Sequence, residues 1–135
     1  MDGYIKIRGF TLPEMMMVML IVASLATLAM PRLVETMEKA RASEAEEILY
    51  VLLASQKRLS VDQDNGDAIP DYTNNIDALD VTIDLSSYFD PPTVDSANPI
   101  AQIERNDGTY TLFIADTAVI TCADTGSNIC KRLGY

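Results

Sequence analysis

The 135-residue chain has its most reactive-looking residues at its two ends. Near the start, Gly9-Phe10-Thr11-Leu12-Pro13-Glu14 places a carboxylate at the threshold of seventeen uncharged residues, Met15 to Pro31. A charge at the rim of such a segment costs roughly 3 kcal/mol in hydrocarbon unless it finds a partner. Glu14 is therefore suited to hold a cation or an N–H donor where an unpaired charge is penalised. Near the other end, Cys122 and Cys130 bound a nine-residue loop, both cysteines included. They can oxidise to a disulfide, which implies an oxidising compartment, or remain two buried thiols. In the loop-entropy picture a ring of this size is worth roughly 2.5 kcal/mol.

Other chemistry is largely excluded. The chain has no histidine, so it lacks the commonest general base and the commonest metal ligand. Two thiols without histidine cannot build a tetrahedral zinc site within one chain. There is no Gly-rich phosphate loop and no nucleophile elbow, so no enzyme and no cofactor is expected. Asp62, Asp64 and Asp67 around Gly66 have the look of a calcium loop. The EF-hand spacing fails, since the glycine comes one position early and only Asp71 follows, so a solvated acidic loop is expected. The net charge of −10 is concentrated between Leu59 and Glu104, where ten acids stand without one Lys or Arg. Such a surface repels phosphate backbones, and no nucleic-acid partner is expected. Lys131–Arg132 reads as a solvated pair.

The elements that must position these residues follow from pattern. The leader, residues 1–9, carries Lys6 and Arg8 and has no apolar run of its own. Its small residue Gly9 precedes the apolar stretch, so a cut after Gly9 leaves that stretch in the mature chain, unlike a conventional secretory signal. Met15 to Met30 makes a helix of about 24 Å, and Phe10 to Glu14 bring it to bilayer length. Residues 10–31 thus form a hydrophobic helix half, and 32–60 an amphipathic half. Pro31 removes a donor and crowds the Thr27 carbonyl, so a kink is expected there. Beyond it the apolar stripe runs through Ala45, Ile48, Leu49, Leu52, Leu53 and Leu59, interrupted by Arg41 and Gln56. The stripe strengthens after Ala45, which leaves 32–44 facing neighbours or solvent, with Glu38 mainly on the polar face. The helix should stop near Ser60.

Residues 61–135 form the globular part. An acidic connection, 61–99, holds a short helical turn near Asn75–Leu79 and anchors that include Leu79 and Phe89. A β-meander, 100–122, follows: IAQIER, the turn Asn106-Asp107-Gly108, TYTLFIA and AVITC. Alternation puts Tyr110, Leu112 and Ile114 on one face. Three strands buried on one face need a cover, and the stripe from Ala45 to Leu59 fits. The cysteine-bracketed region, 122–135, is pinned to the last strand.

Gly9 followed by Phe10-Thr11-Leu12-Pro13-Glu14, the apolar run and Pro31 resembles the type IV pilin and pseudopilin signature over about the first 50 residues. The resemblance implies cleavage after Gly9 by a prepilin peptidase, N-methylation of Phe10, and an assembly role for Glu14 and the helix proline Pro31. It also implies an α+β fold: a pilin-like lollipop whose long kinked helix packs its C-terminal half on a small antiparallel sheet. Two departures are visible. Pro13 replaces an aliphatic residue, harmlessly in a first helical turn. Ala23-Ser24 stands where a glycine is common, so local unwinding before Pro31 is less favoured.

The function implied is a structural subunit of a type IV pilus, made by self-polymerisation into a helical homopolymer that serves adhesion, motility or DNA uptake. The alternative is a pseudopilin of a type II secretion system or a minor pilin. The implied partners are further copies of the chain, the peptidase and an inner-membrane pilus assembly machinery. The implied location is the inner membrane, with a periplasmic head, before assembly, and an extracellular filament afterwards. Thr11 and Glu14 also satisfy a capping box, which by itself explains an acid at a helix start.

Overall fold

The computed structural model describes residues 9–63, 71–84 and 87–135. Its contacts divide the chain into two units, 1–36 and 37–135. In the first, helix α1 (Leu12–Asp62) begins where Thr11 accepts the Met15 N–H at 3.2 Å. The helix continues through Ala23, Ser24 and Pro31, in keeping with the absence of a mid-span glycine. From Phe10 to Val34 its large apolar side chains are exposed, and the segment is long and apolar enough to cross a membrane. Its hydroxyls do not interrupt it. Ser24 donates to the Ile21 carbonyl and Thr27 to the Ser24 carbonyl, both at 2.7 Å. Hydroxyls satisfied within the helix can enter an apolar medium without an orphaned donor.

In the second unit α1 buries Ala42, Ala45, Leu49, Leu52 and Leu53, a stripe advancing by three, four and one. The stripe covers four antiparallel strands in the order β1 (Thr93–Val94), β2 (Ala101–Glu104), β3 (Tyr110–Ile114) and β4 (Ile120–Asp124). Inward residues alternate as expected: Ala101 and Ile103 on β2, and Tyr110, Leu112 and Ile114 on β3, are all buried. Each fully buried Leu or Ile contributes about 2 kcal/mol of hydrophobic stabilisation. The fold is α+β, a long helix packed on an antiparallel sheet.

The β2–β3 hairpin turns on Asn106-Asp107-Gly108. Gly108 has φ +67°, and its N–H donates to the Arg105 carbonyl at 2.7 Å. Asp107 locks the return by accepting from the Thr109 N–H and hydroxyl. The helical turn expected near Asn75–Leu79 is a 3-10 turn, Ile76–Ala78, with Asn75 capping the Asp77 N–H at 3.0 Å. Leu79 and Phe89 reach the core.

Four features differ from the sequence reading. The sheet gains β1 from within the supposed connection, because two residues behind Pro91-Pro92 are too short to show alternation. β4 extends to Asp124 rather than ending at Cys122. The C-terminal region contains helix α2 (Ile129–Leu133), too short for a periodic signal, with Asp124 accepting the Cys130 N–H at 3.1 Å. Finally, 32–44 does not all face outward: Ala42 is buried, and Glu38 turns toward the sheet.

Candidate functional site

Glu14 sits in the first turn of α1, exposed, on the last polar step before the apolar stretch. Its Oε2 accepts from the Thr11 N–H and the Thr11 hydroxyl, each at 3.3 Å. This is the back-reaching half of a capping box. The contacts are long for charge-assisted hydrogen bonds, which usually close to 2.7–2.9 Å. They hold the carboxylate near the chain start without neutralising it. Its chemistry is therefore that of a pre-positioned anion with capacity for a cation.

Gly9 and Phe10 precede it, both exposed. A Cβ added at Gly9 meets nothing within 4 Å among the described residues. While the chain is uncut, the Phe10 nitrogen is an uncharged amide, and cleavage after Gly9 would turn it into an ammonium four residues from Glu14. Pro31 lies within α1 and is exposed.

Cys122 and Cys130 form the disulfide, with Cα atoms 5.6 Å apart. It ties α2 to β4, and α2 in turn seats Ile129 and Leu133 against the core. The Tyr135 hydroxyl then donates to Glu46 of α1, which closes the tail onto the helix. Burial first, and then the Glu46 hydrogen bond and charge, push the Tyr135 phenol well above its ordinary value.

The second unit holds ionic anchors that periodicity did not reveal. Glu38 is the hub: Oε1 accepts from Arg105 Nε at 2.9 Å and from the Tyr110 hydroxyl at 3.0 Å, and Oε2 from Arg41 at 2.9 Å. Burial opposes ionisation of Glu38, but donors from Arg105, Arg41 and Tyr110 outweigh it and hold its pKa below the ordinary value. Arg41 and Arg105 also lie over the Tyr88 ring, at 4.1 and 5.4 Å from its centre. A second anchor fixes the acidic connection. Asp80 accepts from Arg58 at 2.7 Å and from Ser55 at 2.6 Å, and Arg58 first, then Ser55, lowers its pKa from 3.8 to about 2. Buried Gln56 donates to the Thr73 carbonyl at 2.6 Å and accepts the Thr73 N–H at 2.9 Å. The signal in the sequence was present as two polar breaks in an apolar stripe, Arg41 and Gln56, each of which marks a clasp.

The acids that suggested a calcium loop fall partly outside the described residues, which omit Asp64, Gly66 and Asp67. Among the described residues no cluster of acids and thiols could hold a metal ion.

Residues 5–30 match the family model of the prokaryotic N-terminal methylation motif. No curated protein and no solved structure matches the chain. The match coincides with the exposed Gly9, the pre-positioned Glu14 and the apolar half of α1.

Proposed function

We propose that this chain is a type IV pilin-like protein and a structural subunit of a type IV pilus, a reading supported by the N-terminal methylation motif at residues 5–30. A prepilin peptidase cuts after Gly9, and Phe10 becomes the N-methylated first residue. The span from Phe10 to Pro31 holds the subunit in the inner membrane, with the globular head in the periplasm, until it passes into a surface filament.

The observation that supports this reading best is Glu14, an anion held by two 3.3 Å contacts at the edge of an exposed apolar helix. In a filament core that anion needs a cation, and the Phe10 ammonium of an adjacent copy supplies one. Pairing neutralises two charges in an apolar medium and fixes the register that non-directional packing of Met15 to Met30 leaves open.

The test is filament yield in sheared surface material, viewed by electron microscopy. Glu14→Ala should leave a cleaved, membrane-held protein that does not enter filaments, and a normal yield would remove the register role. Deleting the gene should abolish long surface filaments. Filaments that persist assign the chain to a pseudopilin or minor pilin.

A further inference from the structure

Two adjoining clefts open on the face of α1 that the sheet leaves uncovered. One, of about 480 Å³, is lined by Ser43, Glu46, Glu47, Tyr50, Val51 and Ala54. The other, of about 230 Å³, lies between α1 and residues 82–84 and adds Glu44, Ile48 and Asp84. Glu47 and Val51 line both, so the clefts form one surface. Tyr50 and Val51 remain 47% and 42% exposed, although apolar residues one turn away are fully buried. Around them stand four carboxylates, and among the described residues no Lys or Arg lines either cleft.

The cations with matching character lie on the same unit, in the helix that precedes the tail. Lys131 and Arg132 occupy the last turn of α2, exposed, and hold no ion pair among the described residues. Arg41, Arg58 and Arg105, by contrast, are committed to Glu38 and Asp80. One unit therefore carries an apolar cleft rimmed with acids, of which Glu46 holds the chain's own Tyr135, and a basic pair that makes no ion pair with the remaining acids among the described residues.

From this we infer that the Glu44–Val51 face of α1 docks the Lys131–Arg132 end of α2 from a second copy of the chain. The inference rests on the polymerisation reading and adds a second contact to it, made between heads rather than between membrane helices. Tyr50 and Val51 supply apolar contact, and Glu44 and Glu47 meet the two cations, so electrostatic complementarity sets the partner and the register. The contact is heterologous: each copy that uses its acidic face leaves its basic pair free for the next. Contacts of that kind propagate into open arrays instead of closing as dimers.

Zero-length carbodiimide coupling on intact cells tests this, because it joins a carboxylate to a lysine only at salt-bridge distance. Two full-length variants are expressed together, one with Lys131→Glu and Arg132→Glu, the other with Glu44→Lys and Glu47→Lys. A Glu44 or Glu47 peptide linked to Lys131 can then arise only between copies. The expected result is that peptide, with a ladder of linked oligomers that falls about tenfold in cells making either variant alone. The ladder should recover in a chain carrying all four reversals. Lys and Glu are comparable helix formers, so the reversals leave α1 intact. A ladder built through other residues, Lys39 or Lys57 included, overturns the docking and leaves polymerisation standing. Linkage of Glu47 to a different protein also overturns it. Absence of any ladder overturns the docking, and the filament yield seen by electron microscopy in the same cells decides whether the polymerisation reading falls with it.

Discussion

Glu38 and Arg105 stand 67 positions apart in the chain and 2.9 Å apart in the fold. Their side chains are only 16% and 11% exposed, so the pair is nearly dry. It fastens α1 to the end of β2, and the Tyr110 hydroxyl completes the set of donors to the same carboxylate oxygen. Removing one member leaves a charge with little water to replace its partner.

Glu38→Ala should therefore cost the head about 3 kcal/mol, more than a surface ion pair would. Tyr110→Phe removes one donor to a charged acceptor and should cost about 1.5 kcal/mol. Urea unfolding of the detergent-solubilised full chain, followed by tyrosine fluorescence, measures both. A Glu38→Ala midpoint equal to that of the parent would show the knot to be energetically idle.

Asp80 gives the head an acid-sensitive clasp. Its folded pKa is depressed from 3.8 to about 2 by Arg58 and Ser55, so its contribution is present above pH 4 and declines as pH falls through about 2. Glu38, also depressed, adds loss in the same direction. Unfolding midpoints should drop between about pH 4 and pH 2, and Asp80→Asn should flatten that drop without abolishing it. A pH profile identical in the variant would argue against the clasp.

Substituting a bulky residue at Gly9 should block processing while leaving the fold untouched, because a side chain there meets nothing within 4 Å. Intact-mass measurement of Gly9→Leu should find the leader retained, with the unfolding midpoint of the head unchanged. A mature mass equal to that of the parent would place the cut elsewhere.

Replacing Cys122 and Cys130 by serine should destabilise the head by about 2.5 kcal/mol, since it frees a short loop in the unfolded chain. It should also loosen α2 and with it the Tyr135–Glu46 contact. Reductant added to the parent protein should reproduce the shift, measured by the same unfolding assay.

The long helix, the β2–β3 hairpin and the alternation of Tyr110, Leu112 and Ile114 were legible because each is written in a repeating local pattern. The disulfide was legible as well, from two thiols too close together and too poor in companions for metal. What escaped was non-local or short. β1 spans two residues and α2 five, below the length at which a period declares itself. Glu38 read as a solvent-facing acid because no local rule connects it to Arg105 across the fold. Arg41 and Gln56 were visible as breaks in the stripe, yet their partners at Glu38 and Thr73 exist only once the loops return to the helix.

The strand order has a bearing on timing. Every pairing in the sheet joins neighbours in sequence, whereas the helix meets the sheet through partners as far apart as Glu38 and Tyr110, 72 positions. Closing short loops costs little chain entropy, and closing long ones costs more and comes later. The sheet can thus be knit from its short-range pairings before the helix is seated on it. The Glu38 knot, which joins residues 67 and 72 positions apart, closes the longest of these loops and is expected to form last, locking residues 37–62 of the helix onto the sheet.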